Sequence, residues 1–101
     1  MGRNRDMMAR IQQMQAQMAK AQGDLEAKRI QASSGGGAVT VVATGGLRLE
    51  SLTINPEVID PDDAEMLQDL IIAAVNEALE QVSGLQMQQL SGFAGKMGLG
   101  L

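Results

Sequence analysis

Eight of the 101 residues are Lys or Arg, and six of these, Arg3, Arg5, Arg10, Lys20, Lys28 and Arg29, fall in the first 32 positions. The chemistry open to such groups is electrostatic: they attract phosphate oxygens and release counterions condensed on a polyanion. Other chemistry is sharply limited. The chain has no Cys and no His, which excludes thiolate nucleophiles, disulfides, imidazole bases and the usual zinc ligand sets. Asp60, Asp62 and Asp63 cluster around Pro61, yet a helix start accounts for all of them. Asp60 suits a cap, Pro61 the first helical position, and Asp62 and Asp63 the positive end of the dipole. No Ser lies in a nucleophile-elbow pattern. The run Ser33-Ser34-Gly35-Gly36-Gly37 has the composition of a phosphate cradle, but a strand-like segment follows it rather than a helix, and no Lys-Ser/Thr pair follows. It reads as a turn. Neither catalysis, nor a metal, nor a cofactor is expected.

The net charge is −4, unevenly spread. Residues 1–32 set six basic side chains against Asp6, Asp24 and Glu26, while residues 33–101 set Arg48 and Lys96 against nine acids. A basic end on an acidic chain can place a positive patch against a polyanion; a solvated helix face is the plainer reading of the same charges. No apolar run approaches the ~20 residues that span a bilayer. No apolar segment of signal-peptide type follows Arg3 and Arg5. A soluble cytoplasmic protein is expected.

The elements that must position these charges follow from periodicity. Met7, Ile11, Met14, Met18, Ala21 and Leu25 recur at alternating spacings of four and three, which keeps an apolar stripe on one side of a helix. Gln12, Gln13, Gln15, Gln17, Lys20 and Gln22 fill the positions between them. A helix is predicted over about 7–27, with Asp6 as its cap and Gly23 as a weak point near its end. The face carrying Arg10 and Lys20 is read as opposite the stripe, and as the one long helical surface that is not acidic. Residues 28–34 suit either a prolonged helix or a strand with Ile30 and Ala32 on one face. Residues 38–44 are β-rich, Gly45-Gly46 has the form of a two-residue hairpin turn, and residues 47–54 make the next strand. Leu47 and Leu49 share one parity and Leu52 and Ile54 the other, so a bulge near Glu50-Ser51 is needed. Val58 and Ile59 are expected to tuck into the core. A second helix is predicted from Pro61 to about Gln89, with Leu67, Leu70, Ile71, Ala74, Val75, Ala78 and Val82 on its sheet-facing side. Residues 1–6 read as a flexible lead-in, 7–90 as a single dimerising domain, and 91–101 as a flexible Gly-rich tail.

The core has unusual material. There is one aromatic residue, Phe93, against eight Met, so it must be built from Leu, Ile, Val, Met and Ala. A stripe ~30 Å long is too much for so short a chain to cover alone. Met7, Ile11, Met14, Met18 and Leu25 are therefore read as the seam of a dimer or helix pair, with the stripe packed on the end of the second helix.

The order of these pieces resembles one family. The Met/Gln-rich helix from Met8 to Met18, the segment from Ser33 to Val39, the strand and turn from Ser51 to Asp60, and the run from Met66 to Ala78 are together similar to the YbaB/EbfC family of bacterial nucleoid-associated proteins. The resemblance covers nearly the whole chain. It implies an α+β fold with an N-terminal helix, a three-stranded antiparallel sheet and a long C-terminal helix. It also implies a tweezer-like homodimer with projecting helix pairs that binds double-stranded DNA with low sequence specificity. Nucleoid organisation and gene regulation would be its role, with other nucleoid or DNA-repair proteins as further partners. Carried onto this chain, the DNA-binding residues would be Arg3, Arg5, Arg10, Lys20, Lys28 and Arg29. The last helix supplies no positive charge before Lys96. A structural or adaptor protein gripping a protein partner between its helix pairs is the alternative, favoured by the Met-rich seam and the acidic second helix.

Overall fold

The computed structural model describes residues 2–96. A first helix, α1, runs from Gly2 to Ala27. Three strands follow, β1 (Arg29–Ser34), β2 (Val39–Thr44) and β3 (Leu49–Ile54), and a second helix, α2 (Ala64–Lys96), closes the described chain. The sheet is antiparallel in the order β1-β2-β3. The expected α+β architecture is therefore present, and residues 28–34 resolve as a strand.

The core is one side of the sheet against one stripe of α2. Ile30 and Ala32 of β1 and Val39, Val41 and Ala43 of β2 are buried beneath Ala74, Ala78 and Val82. Small residues on α2 let the helix axis come close to the sheet, while Leu67, Leu70, Ile71 and Leu85 pack around the margin. The alternation of buried and exposed residues along β1 and β2 is the period of two that a one-sided sheet demands.

Both hairpins are set by their loops. Gly35, Gly36 and Gly37 take φ of 61°, 69° and 93° in succession, a run of left-handed positions that side chains resist. Ser34 closes the same corner by donating its hydroxyl hydrogen to the Leu70 carbonyl. The second hairpin departs from the two-residue turn its Gly pair suggested. The Leu47 amide donates to the Thr44 carbonyl (3.1 Å) and the Thr44 amide to the Arg48 carbonyl (2.8 Å). Three residues thus make the loop, and the left-handed position falls on Leu47 (φ 62°), not on a glycine. That is the longer hairpin geometry, a turn followed by a left-handed residue. The anticipated bulge is at Glu50, since Val42 pairs with Ser51 while Ala43 pairs with Leu49.

Several boundaries move. α1 already includes residues 2–6, where a lead-in with Asp6 as cap was expected. No Pro interrupts the segment and its residues tolerate helix. α2 carries residues 91–96, so only 97–101 of the expected tail remain, outside the described residues. Pro61–Asp63 forms a 3-10 turn, in which the Asp62 amide donates to Asp60. Asp63 then accepts from the Met66 amide at the start of α2. Val58 is half-buried and Ile59 exposed. The connection runs past the end of the sheet instead of folding under it.

Candidate nucleic-acid interface

α1 is 26 residues long, about 39 Å at 1.5 Å per residue. Residues 3–20 are exposed on every side. The described chain measures 75 × 24 × 16 Å, so α1 extends along the long axis as an arm. Its attachment is narrow. Leu25, only 6% exposed, seats against the β2–β3 turn at Gly45. A Cβ built on Gly45 would lie 1.9 Å from the Leu25 carbonyl oxygen. The Lys28 amide donates to the Leu25 carbonyl (3.1 Å), and the Gly45 amide to the Lys28 carbonyl (3.0 Å). Gln86 of α2 donates to the Gly45 carbonyl (3.4 Å). Gly45 is thus required by the closeness of three elements, since its own φ is not positive.

The six basic residues do not gather into one patch. Arg3 and Arg10 border the apolar stripe, because each lies one position from the seam's repeat, whereas Arg5 and Lys20 point away from it. The expectation that Arg10 lies opposite the stripe is corrected by this turn-by-turn placement. Lys28 and Arg29 sit at the base. Arg29 Nε is 2.8 Å from the Glu50 carboxylate, a cross-sheet pair of exposed groups that reduces its availability to phosphate. It is the one ion pair among the described residues, so Arg3, Arg5, Arg10, Lys20 and Lys28 have no intramolecular carboxylate partner. Spaced along a rod, they suit a ligand with periodic negative charge and offer no enclosed site for a small anion.

The stripe is not covered within the chain. Met7, Ile11, Met14 and Met18 are 39–60% exposed, where packing on the end of α2 was expected. α1 and α2 meet only near the base, around Ala21, Leu25, Leu85 and Gln88. The α2 side presented there is largely polar, which gives the Met residues little to pack on.

A second uncovered surface escaped the sequence reading. α2 lies over β1 and β2, and a single helix is too narrow for three strands. Through the Glu50 bulge, Leu49 and Leu52 both fall on the α2 side of the sheet, and both stay exposed. Ile72 and Leu79, also exposed, share the α2 flank of Gln86, which reaches the β2–β3 turn. The bulge and the two leucines were the signal. Among the described residues no group of three carboxylates is placed to hold a metal ion, and no helix is long and apolar enough to cross a membrane.

A basic, solvent-exposed helical arm on a small α+β base defines a class of proteins that meet extended polyanions. Comparison with known proteins makes the class specific. Residues 1–97 match the family model described as the YbaB/EbfC DNA-binding family, and the chain belongs to that family. A nucleoid-associated protein of Ruminiclostridium cellulolyticum is 50% identical over 97 residues, covering 96% of this chain and 84% of the relative. Those of Acetivibrio thermocellus (48%, 96% and 86%) and Chloroflexus aurantiacus (47%, 87% and 91%) are similar. The crystal structure of uncharacterized protein HP0035 from Helicobacter pylori superposes with a TM-score of 0.76 at 20% identity. It covers 86% of this chain and 91% of that one, which shows a shared fold.

Proposed function

We infer that this protein binds double-stranded DNA as a nucleoid-associated protein, through the arm formed by α1. The family match carries the reading, and the exposed cations Arg3, Arg5, Arg10 and Lys20 supply its mechanism. Each phosphate neutralised releases counterions and adds about −0.9 to the slope of log affinity against log salt. Few cations per arm make the binding weak and salt-sensitive. The arm carries no recognised base-reading motif, so sequence preference is low. Lys28 contributes from the base, and Arg29 least, because Glu50 already holds it.

Two arms per particle would double the contacts. The functional unit is proposed to be a homodimer closed on the open strip of Leu49, Leu52, Ile72 and Leu79, an apolar surface of the kind that marks an interface. Placement in the cytoplasm on the nucleoid, and roles in nucleoid organisation and gene regulation, follow from the same reading. DNA retention of the purified protein across a salt series is the test. Replacing Arg5, Arg10 and Lys20 together by Ala should weaken retention at low salt and flatten the slope. Unchanged retention and slope would refute the assignment.

The exposed Met stripe favours a second reading, an adaptor that grips a protein partner. Partners recovered equally well with and without nuclease would support it over direct DNA binding.

A further inference from the structure

We propose that α1 pairs antiparallel with α1 of a second copy, seam on seam, in the register that sets Arg10 beside Asp24 of that copy. The stripe is open, and the chain's own α2 is ill suited to close it. The α2 side that meets α1 carries Leu85, Gln88 and Gln89, with Gly92 next in line. Met87 and Leu90, 66% and 64% exposed, lie on the other side of that helix. An apolar seam of six positions needs an equally long apolar seam, and α1 itself is the element that supplies one.

The flanking residues select the direction. Arg10, Gln17 and Asp24 recur every seven residues along one border of the seam, and Met8, Gln15 and Gln22 along the other. In an antiparallel pair each border meets the same border of its neighbour. Met7 then layers with Leu25, Ile11 with Ala21 and Met14 with Met18, so all six seam positions are used. In the same register Arg10 faces Asp24, twice by symmetry, and Gln17 faces Gln17. A parallel pair would set Arg10 against Gln15 and Gln17 against Gln22, with no opposite charges meeting along the helix. Neither Arg10 nor Asp24 has an ion-pair partner within the described chain.

The receiving end has a fitting shape. Beside Asp24, a groove of about 300 Å³ opens between α1 and α2, with Leu25 and Leu85 on its floor and Gln88 and Gln89 on its wall. An arginine needs a carboxylate and amide oxygens for its planar head and apolar surface for its stem. Lys28 also lines the groove, so the electrostatic gain is modest and the seam supplies most of the attraction. With the core strip proposed above, each chain would own two separate two-fold contacts. Such contacts alternate and link copies in open series instead of closing a ring.

The test needs no DNA, so its failure is separable from failure of the DNA reading. Arg10→Glu and Asp24→Arg should each weaken self-association in sedimentation roughly tenfold, by turning two attractions into repulsions. The two changes together should restore it. A double variant as weak as the single ones would overturn the register. Because the chain lacks Cys, Gln17→Cys introduces a single thiol that lies across from its own copy in this register. A short bismaleimide should couple Gln17→Cys to itself and leave Lys20→Cys, on the outer face, uncoupled. No coupling at Gln17→Cys, or equal coupling at both positions, would refute the pairing.

Discussion

Substitution of Gly45 by Ala tests how the arm is held. The added Cβ would sit 1.9 Å from the Leu25 carbonyl oxygen and 2.8 Å from its carbon. Both are backbone atoms, so no rotamer change relieves the contact. Restoring ordinary separation requires the end of α1 to move by roughly 1.5 Å relative to the turn, since ordinary carbon contacts lie near 3.5 Å. Leu25 would then lose part of a burial worth about 1.5–3 kcal/mol. The bonds from the Gly45 amide to Lys28 and from Gln86 to the Gly45 carbonyl would lengthen, each worth about 0.5–1.5 kcal/mol. A destabilisation of about 2–4 kcal/mol is expected. Urea unfolding followed by circular dichroism reads it as a midpoint lowered by roughly 1–2 M, for a slope of about 2 kcal/mol/M. Protein concentration must be matched, because self-association adds to apparent stability. Gly46→Ala is the control. Its nearest neighbour is the Glu26 Cγ at 3.2 Å, on a flexible exposed side chain, and the cost should stay below about 1 kcal/mol. A Gly45→Ala variant within about 0.5 kcal/mol of the parent would refute the three-way anchor.

Four further outcomes follow from the same geometry. Gly23→Ala meets nothing within 4 Å and lies within α1, so it should stabilise by up to about 1 kcal/mol in the same unfolding assay. Leu47→Gly relieves the left-handed backbone of an exposed residue and should not lower the urea midpoint, since the strain removed is about 1 kcal/mol. Ser34→Ala removes the hydroxyl bond to the Leu70 carbonyl and should cost about 1 kcal/mol. Leu52→Asp or Leu79→Asp places a charge on the open apolar strip and should shift the protein toward monomers in sedimentation equilibrium, with its circular dichroism unchanged.

Most of the fold was written in local chemistry. The Gly35–Gly37 run, the Glu50 bulge, the Pro61 helix start and the apolar face from Leu67 to Val82 each follow from rules acting over a few residues, and each is present. What the sequence concealed depends on contacts between distant parts. Gly45 reads as a turn glycine, but its smallness serves Leu25, twenty residues earlier. Leu47 occupies the position a glycine would be expected to take. The helix extends over residues 2–6 and 91–96, where composition suggested loose ends, because no nearby residue stops it. For the interface, the cations of α1 were legible as exposed. Their scatter around the helix was not, since Arg10 borders the stripe only when angular position is counted turn by turn. The engagement of Arg29 with Glu50 needed the strand register to be known. The Met stripe was legible as a seam, and its exposure shows that the sequence specifies a contact this chain does not complete by itself.

The narrow attachment of α1 has a mechanical consequence. The helix is a stiff rod fixed at one end by Leu25, Gly45 and two backbone hydrogen bonds, with residues 3–20 free of the body. A tilt of about 10° at that pivot carries the far end of a ~35 Å lever through roughly 6 Å. Such a lever can follow a curved or irregular target by small adjustments at its root, without rearranging the sheet. The root, far more than the tip, therefore sets the span over which two such arms can close.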